Sequence, residues 1–237
     1  MNPDKTLNKE GHTYVDGYCS VCQAVDPDYD FNKVEDGVVF DETKGTYFYY
    51  KDCEIDTNMT CLALLETEGK YLYFENGVQN TEFYGFTEFG GGQFLVANGV
   101  IATECSGLQL IGDNFYFLSY GQLQNQYSGL AMYDNAWFYV VDGVLQIDYN
   151  GLLDYDGSKF LIATGQILNS YTGLYNDPVT GNWYYIVYGQ VQTDYTGLVM
   201  YDGAWFYLVN GVLASDYVGY VDYDGSRFYV QYGQVVA

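Results

Sequence analysis

The sequence predicts an all-β solenoid of about nine stacked 22-residue β-hairpin repeats, preceded by a short irregular N-terminal Cys/His segment. Three observations predict it. Two glycine series run in phase through the chain. Each interval reads as two short, aromatic-rich strands about a tight polar turn. A single 22-residue hairpin cannot bury its own apolar face, so neighbours must stack into a quasi-one-dimensional array.

The first segment, 1–30, is polar and carries Gly11-His12-Thr13, with His12 placed before Cys19-x-x-Cys22. One histidine and two thiolates suit tetrahedral zinc, which would order a loop-rich segment. A Cys19–Cys22 disulfide and free thiols are the alternatives. The segment resembles short His/Cys stretches that precede domains in secreted Firmicute proteins, which add a cysteine just before the histidine. Here Lys9-Glu10-Gly11 stands in that place. Metal: His12, Cys19 and Cys22 are the candidate ligands of a structural zinc, and no other cofactor is required.

The array is expected over 31–237. One glycine series holds Gly85, Gly107, Gly129, Gly151, Gly173, Gly197 and Gly219. The other holds Gly77, Gly99, Gly121, Gly143, Gly165, Gly189, Gly211 and Gly233. Both step by 22 residues, except once where 176–181 lengthens a turn. A divergent first repeat, Asp41-Glu42-Thr43-Lys44-Gly45, matches that long turn in outline and places Cys53 where the second glycine would stand. Up-and-down barrels and propellers are the competing architectures. A propeller blade takes four strands and about 40 residues, and nine repeats do not pair into blades.

Within a repeat, 130–133 reads as a short strand, Asp134-Asn135 as a two-residue turn, and 136–141 as a second strand rich in aromatic and β-branched residues. Asp156-Gly157, Asp202-Gly203 and Asp224-Gly225 recur at the turn. Such pairs accept the positive φ of a type I′ hairpin. Counting back from the second glycine, the third residue (Phe74, Val140, Ile186) and the fifth (Leu72, Phe138, Phe206) are always apolar or aromatic. Both are expected to face inward, because strand side chains alternate. The sixth position back holds Trp137, Trp183 and Trp205 but also Lys159 and Arg227. It therefore faces solvent or a groove. Cys53, Cys61 and Cys105 are expected in core or inter-repeat packing.

Thr-Gly-Leu, Tyr-Asp-Gly-x-Trp-Phe-Tyr and Asn-Gly-Val together resemble the cell-wall-binding or choline-binding repeats of Gram-positive surface proteins, and the related glucan-binding and clostridial-toxin repeats. The resemblance covers about 31–237. It implies a solenoid of hairpins that attaches a protein to teichoic acid, glucan or host glycan. The family has Gly-Trp where this chain has Leu130, Leu152, Leu174 and Leu198, or Phe86 and Tyr220. A quaternary ammonium needs a cage of aromatic faces, and leucine offers none.

Composition narrows the function. Acidic residues number 31 and basic residues 8, for a net charge of −23. That repels phosphate backbones, so nucleic acid is excluded as a partner, and an anionic polymer gains nothing from charge alone. No apolar run approaches the roughly 18 residues that crossing a membrane would require, so no membrane insertion is expected. His12 is the single histidine, which leaves little for a nucleophilic triad. The D-x-D-G strings at Asp154 and Asp222 read as turns, without the further ligands a calcium loop would need.

The expectation is a non-catalytic cell-wall or glycan-binding module of an exported bacterial protein, secreted or at the cell surface with its leader removed. Ligand-binding: Trp137, Trp183 and Trp205, together with Tyr149, Tyr195 and Tyr217, are expected to stack on sugar rings. A structural spacer or protein-interaction scaffold is the alternative. The open last repeat at Ala237 is expected to pair end to end with a second chain, as a homodimer, or to continue into further repeats.

Overall fold

A computed structural model describes residues 14–15, 18–20, 23, 25 and 34–236. Among these there is no helix, and every named strand pairing is antiparallel. The chain divides into two compact units: residues up to Phe89 with Val96–Ile101, and Gly90–Leu95 with the residues from Ala102 onward.

The first unit contains the hairpin Gly37–Asp41/Thr46–Lys51 with a two-residue trailing arm, Glu54–Ile55. The hairpin Cys61–Leu65/Lys70–Glu75 follows, with its arm Val78–Gln79. The second unit repeats this plan from Gly107 to Val235. The repeat Gly129–Tyr133/Ala136–Val141, with arm Val144–Leu145, is representative.

One pairing rule builds the stack. A repeat's longer strand takes its own arm at its C-terminal end, as Val140↔Leu145, and the next repeat's arm at its middle, as Phe138↔Gln166. The same register recurs as Phe48↔Val78 in the first unit and as Phe160↔Gln190, Tyr184↔Val212 and Phe206↔Gln234 in the second. Each repeat thus contacts its immediate neighbours, which is the solenoid plan.

The turns take the expected form. Asp134 and Asn135 have φ of 47° and 61°, and Asp202 and Gly203 have 46° and 79°. The second glycine answers two demands at once. Gly143 has φ +76°, and a Cβ there would lie 2.8 Å from the Gln124 carbonyl oxygen of the preceding repeat. Cys53 occupies the equivalent turn at φ 66°. It is exposed, which corrects its expected place in the packing. Cys61 and Cys105 are half-buried.

The core matches one inward position and corrects the other. The third residue before the second glycine is fully covered: Phe74, Val96, Val140, Ile186, Leu208 and Val230 are all 0% exposed. The fifth is buried at Leu72 and at its first-repeat counterpart Phe48, while Phe138, Phe160 and Phe206 are half-buried. The pleat does point it inward, but it reaches the edge of the packed layer and lines a groove. The opposite sheet face is covered as well. Tyr139 packs on Tyr149 at 4.9 Å between ring centroids, Tyr185 on Tyr195 at 5.0 Å and Tyr207 on Tyr217 at 4.8 Å.

Candidate functional site

Two equivalent grooves lie between successive repeats of the second unit. One, of about 310 Å³, is lined by Leu130 and Trp137 of one repeat and by Tyr155, Asp156, Phe160 and Ile167 of the next. The other, of about 330 Å³, is lined by Leu174 and Trp183, then Tyr201, Asp202, Phe206 and Leu213. The correspondence holds position by position. It recurs a third time, where Trp205, Tyr223, Phe228 and Val235 pack against a buried cluster containing Leu198.

The walls are three aromatic rings and the floor is aliphatic. Trp183 and Tyr201 stand 6.4 Å apart at 59°, and Trp205 and Tyr223 stand 6.0 Å apart at 55°. An exposed turn aspartate, Asp156 or Asp202, completes the lining of each groove. Electron-rich ring faces beside a carboxylate attract a cation whose surface is apolar.

Four stretches of the chain, residues 126–146, 170–192, 194–214 and 216–236, match the family model of the choline-binding repeat. These repeats are of the choline-binding type. Similar solved structures include CbpJ from Streptococcus pneumoniae TIGR4 (20% identity, 85% of this chain, 58% of that chain, TM-score 0.37). Choline-binding protein F from Streptococcus pneumoniae is another (18%, 86%, 58%, 0.36). So is the modular autolysin LytC from Streptococcus pneumoniae (18%, 84%, 48%, 0.39). The matched region thus spans at most 58% of these three chains. No curated protein matches.

The residues expected to bind fall into two groups. Trp137 and Trp183 stand at groove walls with 39% and 38% of their surface exposed, and Trp205 packs against the equivalent Leu198 cluster. Tyr149, Tyr195 and Tyr217 stand behind the grooves. Each is half-buried with its ring inclined at 52–61° to a neighbouring tyrosine, and each donates its hydroxyl to a carbonyl three residues on: Leu152 (2.7 Å), Leu198 (2.7 Å) and Tyr220 (2.9 Å). Their hydroxyl protons are thereby used, and in this structure the three act as pillars between repeats. Tyr127 and Tyr171 make the same bond to Leu130 and Leu174, at 2.6 Å in both cases.

Leu130 and Leu174 do line the grooves, as the resemblance implied. Opposite each tryptophan, Tyr155/Phe160 and Tyr201/Phe206 of the following repeat supply the other two aromatic rings. Sequence reasoning missed Tyr155, Tyr201 and Tyr223. Each follows a tryptophan by eighteen residues, and that constant spacing is the signal that could have found them.

At the N-terminus, Cys19 is buried in the strand Tyr18–Cys19, which pairs with Tyr14–Val15. His12 and Cys22 lie outside the described residues, so the expected zinc site falls there too. Among the described residues no cluster of three His, Cys, Asp or Glu side chains could hold a metal. No helix among them is long and apolar enough to cross a membrane.

Proposed function

We propose that this chain is a non-catalytic attachment module that holds choline groups of a surface polymer in its Trp–Tyr–Phe grooves. The observation that carries this reading is the recurring groove of three aromatic walls beside an aspartate, found in repeats of the choline-binding type. A trimethylammonium group has no hydrogen-bond donor. It is recognised by ring quadrupoles and desolvated apolar contact, which these grooves supply. The chain's net charge of −23 draws the cationic group and disfavours the polymer's phosphates, so recognition rests on the headgroup. The protein's own cations behave in the same way: Lys44 sits 4.4 Å over the Phe48 ring and Arg227 lies 4.9 Å over Tyr220. Several weak grooves on one chain would act together on a repetitive polymer, and a chain working this way belongs at the cell surface.

The test is co-sedimentation with insoluble Gram-positive cell walls, with and without choline-bearing polymer. Pelleting reversed by free choline is expected. Pelleting reversed only by soluble sugar would replace choline with a stacked glycan. No pelleting with any wall or glucan would turn the reading to a spacer or protein scaffold. Replacing Trp137, Trp183 and Trp205 together by alanine should abolish retention while leaving the far-UV spectrum unchanged.

A further inference from the structure

Each groove tryptophan stands across its own hairpin from one residue of the shorter strand. Trp137 is the direct partner of Met132, Trp205 of Met200 and Trp183 of Asn176. Directly opposed residues of an antiparallel pair share one sheet face, with Cβ atoms about 4.5–5.5 Å apart. Met132 also lies two residues after Leu130, which lines the groove, and so points to the same face. Met200 bears the same relation to Leu198. Each thioether therefore stands at the rim of a groove, beside its tryptophan. Met132 is 56% exposed and Met200 52%.

Two other observations set these sulfurs apart. Met59 is half-buried against the cluster of Ala63, Leu65, Leu72 and Phe74, so an oxidant dissolved in water meets the rim methionines before it. Two hairpins without tryptophan place leucine at the rim: Leu64 opposite Tyr71, and Leu110 opposite Phe115. The position thus accepts an apolar side chain of that size, and packing alone does not call for methionine. What methionine adds is an oxidisable sulfur. A thioether makes a favourable contact with an aromatic ring, whereas its sulfoxide is polar.

We propose that Met132 and Met200 are oxidation sites through which a hydroperoxide loosens the grooves at Trp137 and Trp205. A sulfur lone pair attacks one peroxide oxygen and the O–O bond breaks. That oxygen stays on sulfur as the sulfoxide, and the other leaves as water or an alcohol. Sulfur gives up two electrons and the peroxide takes them; a methionine sulfoxide reductase reverses the step. The sulfoxide draws water to the rim, so the tryptophan loses the apolar neighbour that keeps its groove dry. A ligand held by desolvated ring faces then binds less tightly. Trp183, opposite Asn176, has no sulfur to oxidise and keeps its groove. The sites stand on register and exposure, while their effect on attachment rests on the proposed function.

The experiment treats the full chain with hydrogen peroxide, maps the oxidation by peptide mass spectrometry, and titrates the chain with choline chloride before and after. Met132 and Met200 should each gain one oxygen before Met59 does, and tryptophan emission should move to the red as the rims take up water. Affinity should fall about 2- to 10-fold, the worth of a sulfur–ring contact, for part of the binding, while the share belonging to the Trp183 groove is unchanged. The double variant Met132→Leu, Met200→Leu follows the precedent of Leu64 and Leu110 and should show neither effect. It keeps the exposed Cys53, so any consequence of thiol oxidation appears in both proteins. Met59 oxidising as fast as the rim pair would overturn the sites. Complete oxidation of both methionines with unchanged affinity, or an equal loss in the double variant, would overturn their link to the grooves. No heat with the untreated chain would overturn the choline reading instead, leaving the mass map and the emission to decide the sites.

Discussion

At the scale of the residue, the second-series glycines and the hairpin-turn glycines do different work, and substitution should separate them. Gly143→Ala drives a Cβ to 2.8 Å from a backbone carbonyl of the neighbouring repeat at φ +76°. Backbone cannot yield as a side-chain tip can, so a loss well beyond the turn penalty is expected. Gly203 has nearly the same φ, +79°, but nothing within 4 Å of its would-be Cβ. Gly203→Ala should cost only the left-handed penalty, about 1–2 kcal/mol. Urea denaturation of both variants checks this, and equal losses would contradict it. In the core, Ile186 is 0% exposed, and Ile186→Ala should lose about 2–5 kcal/mol. The same residues show how far the sequence could be read. The third position back was legible as core because only Phe, Val, Leu and Ile stand there. The fifth position carries equally apolar residues, yet Phe160 and Phe206 became groove walls, because composition records polarity and not how far a side chain reaches beyond the packed layer.

At the scale of the element, the hairpin and its turn were legible from spacing alone, while the cage was not. Its walls come from two repeats, so no single repeat contains the site. Tyr149, Tyr195 and Tyr217 recur as regularly as the tryptophans, and periodicity could not distinguish a pillar from a platform. The pillars carry a pH signature. Burial, with the hydrogen bond to a groove tyrosine, pushes Tyr127, Tyr171 and Tyr195 up to about 12 from 10.0. The fold therefore holds these protons more tightly than the unfolded chain does. Their stabilisation is complete below pH 10 and is lost as pH rises toward 12. Denaturant midpoints measured between pH 8 and 12 should fall in that window. The fall should be shallower in the Tyr127→Phe, Tyr171→Phe, Tyr195→Phe triple variant, and an unchanged slope would refute the assignment. A shared site also predicts the effect of shortening the chain. Removing 216–237 takes away Tyr223 and Phe228 but leaves Trp205 in place. Under the proposed choline reading, the grooves at Trp137 and Trp183 should keep their ligand while any binding at Trp205 is lost, which titration of the shortened chain checks.

At the scale of the whole molecule, charge and repetition set the behaviour of binding. With 31 acidic and 8 basic residues, the chain repels other copies of itself and any bare polyanion. Added salt screens both effects over roughly 8–10 Å at physiological strength. Attachment to a polymer that carries both phosphate and choline should therefore tighten, or hold steady, as salt rises from 20 to 150 mM. Binding that collapsed over that range would point to simple ion exchange.

A groove shared by two repeats has a mechanical consequence as well. A ligand seated between Trp183 of one hairpin and Tyr201 of the next is a clamp across the seam where the stack would come apart. Anything that binds the closed seam but not the open one resists its opening by mass action. Tension applied along the chain and occupancy of its grooves are then conjugate quantities. A pulled module should release ligand as its seams part, and a saturated one should require more force to unzip, so the grip would be firmest where the polymer is densest.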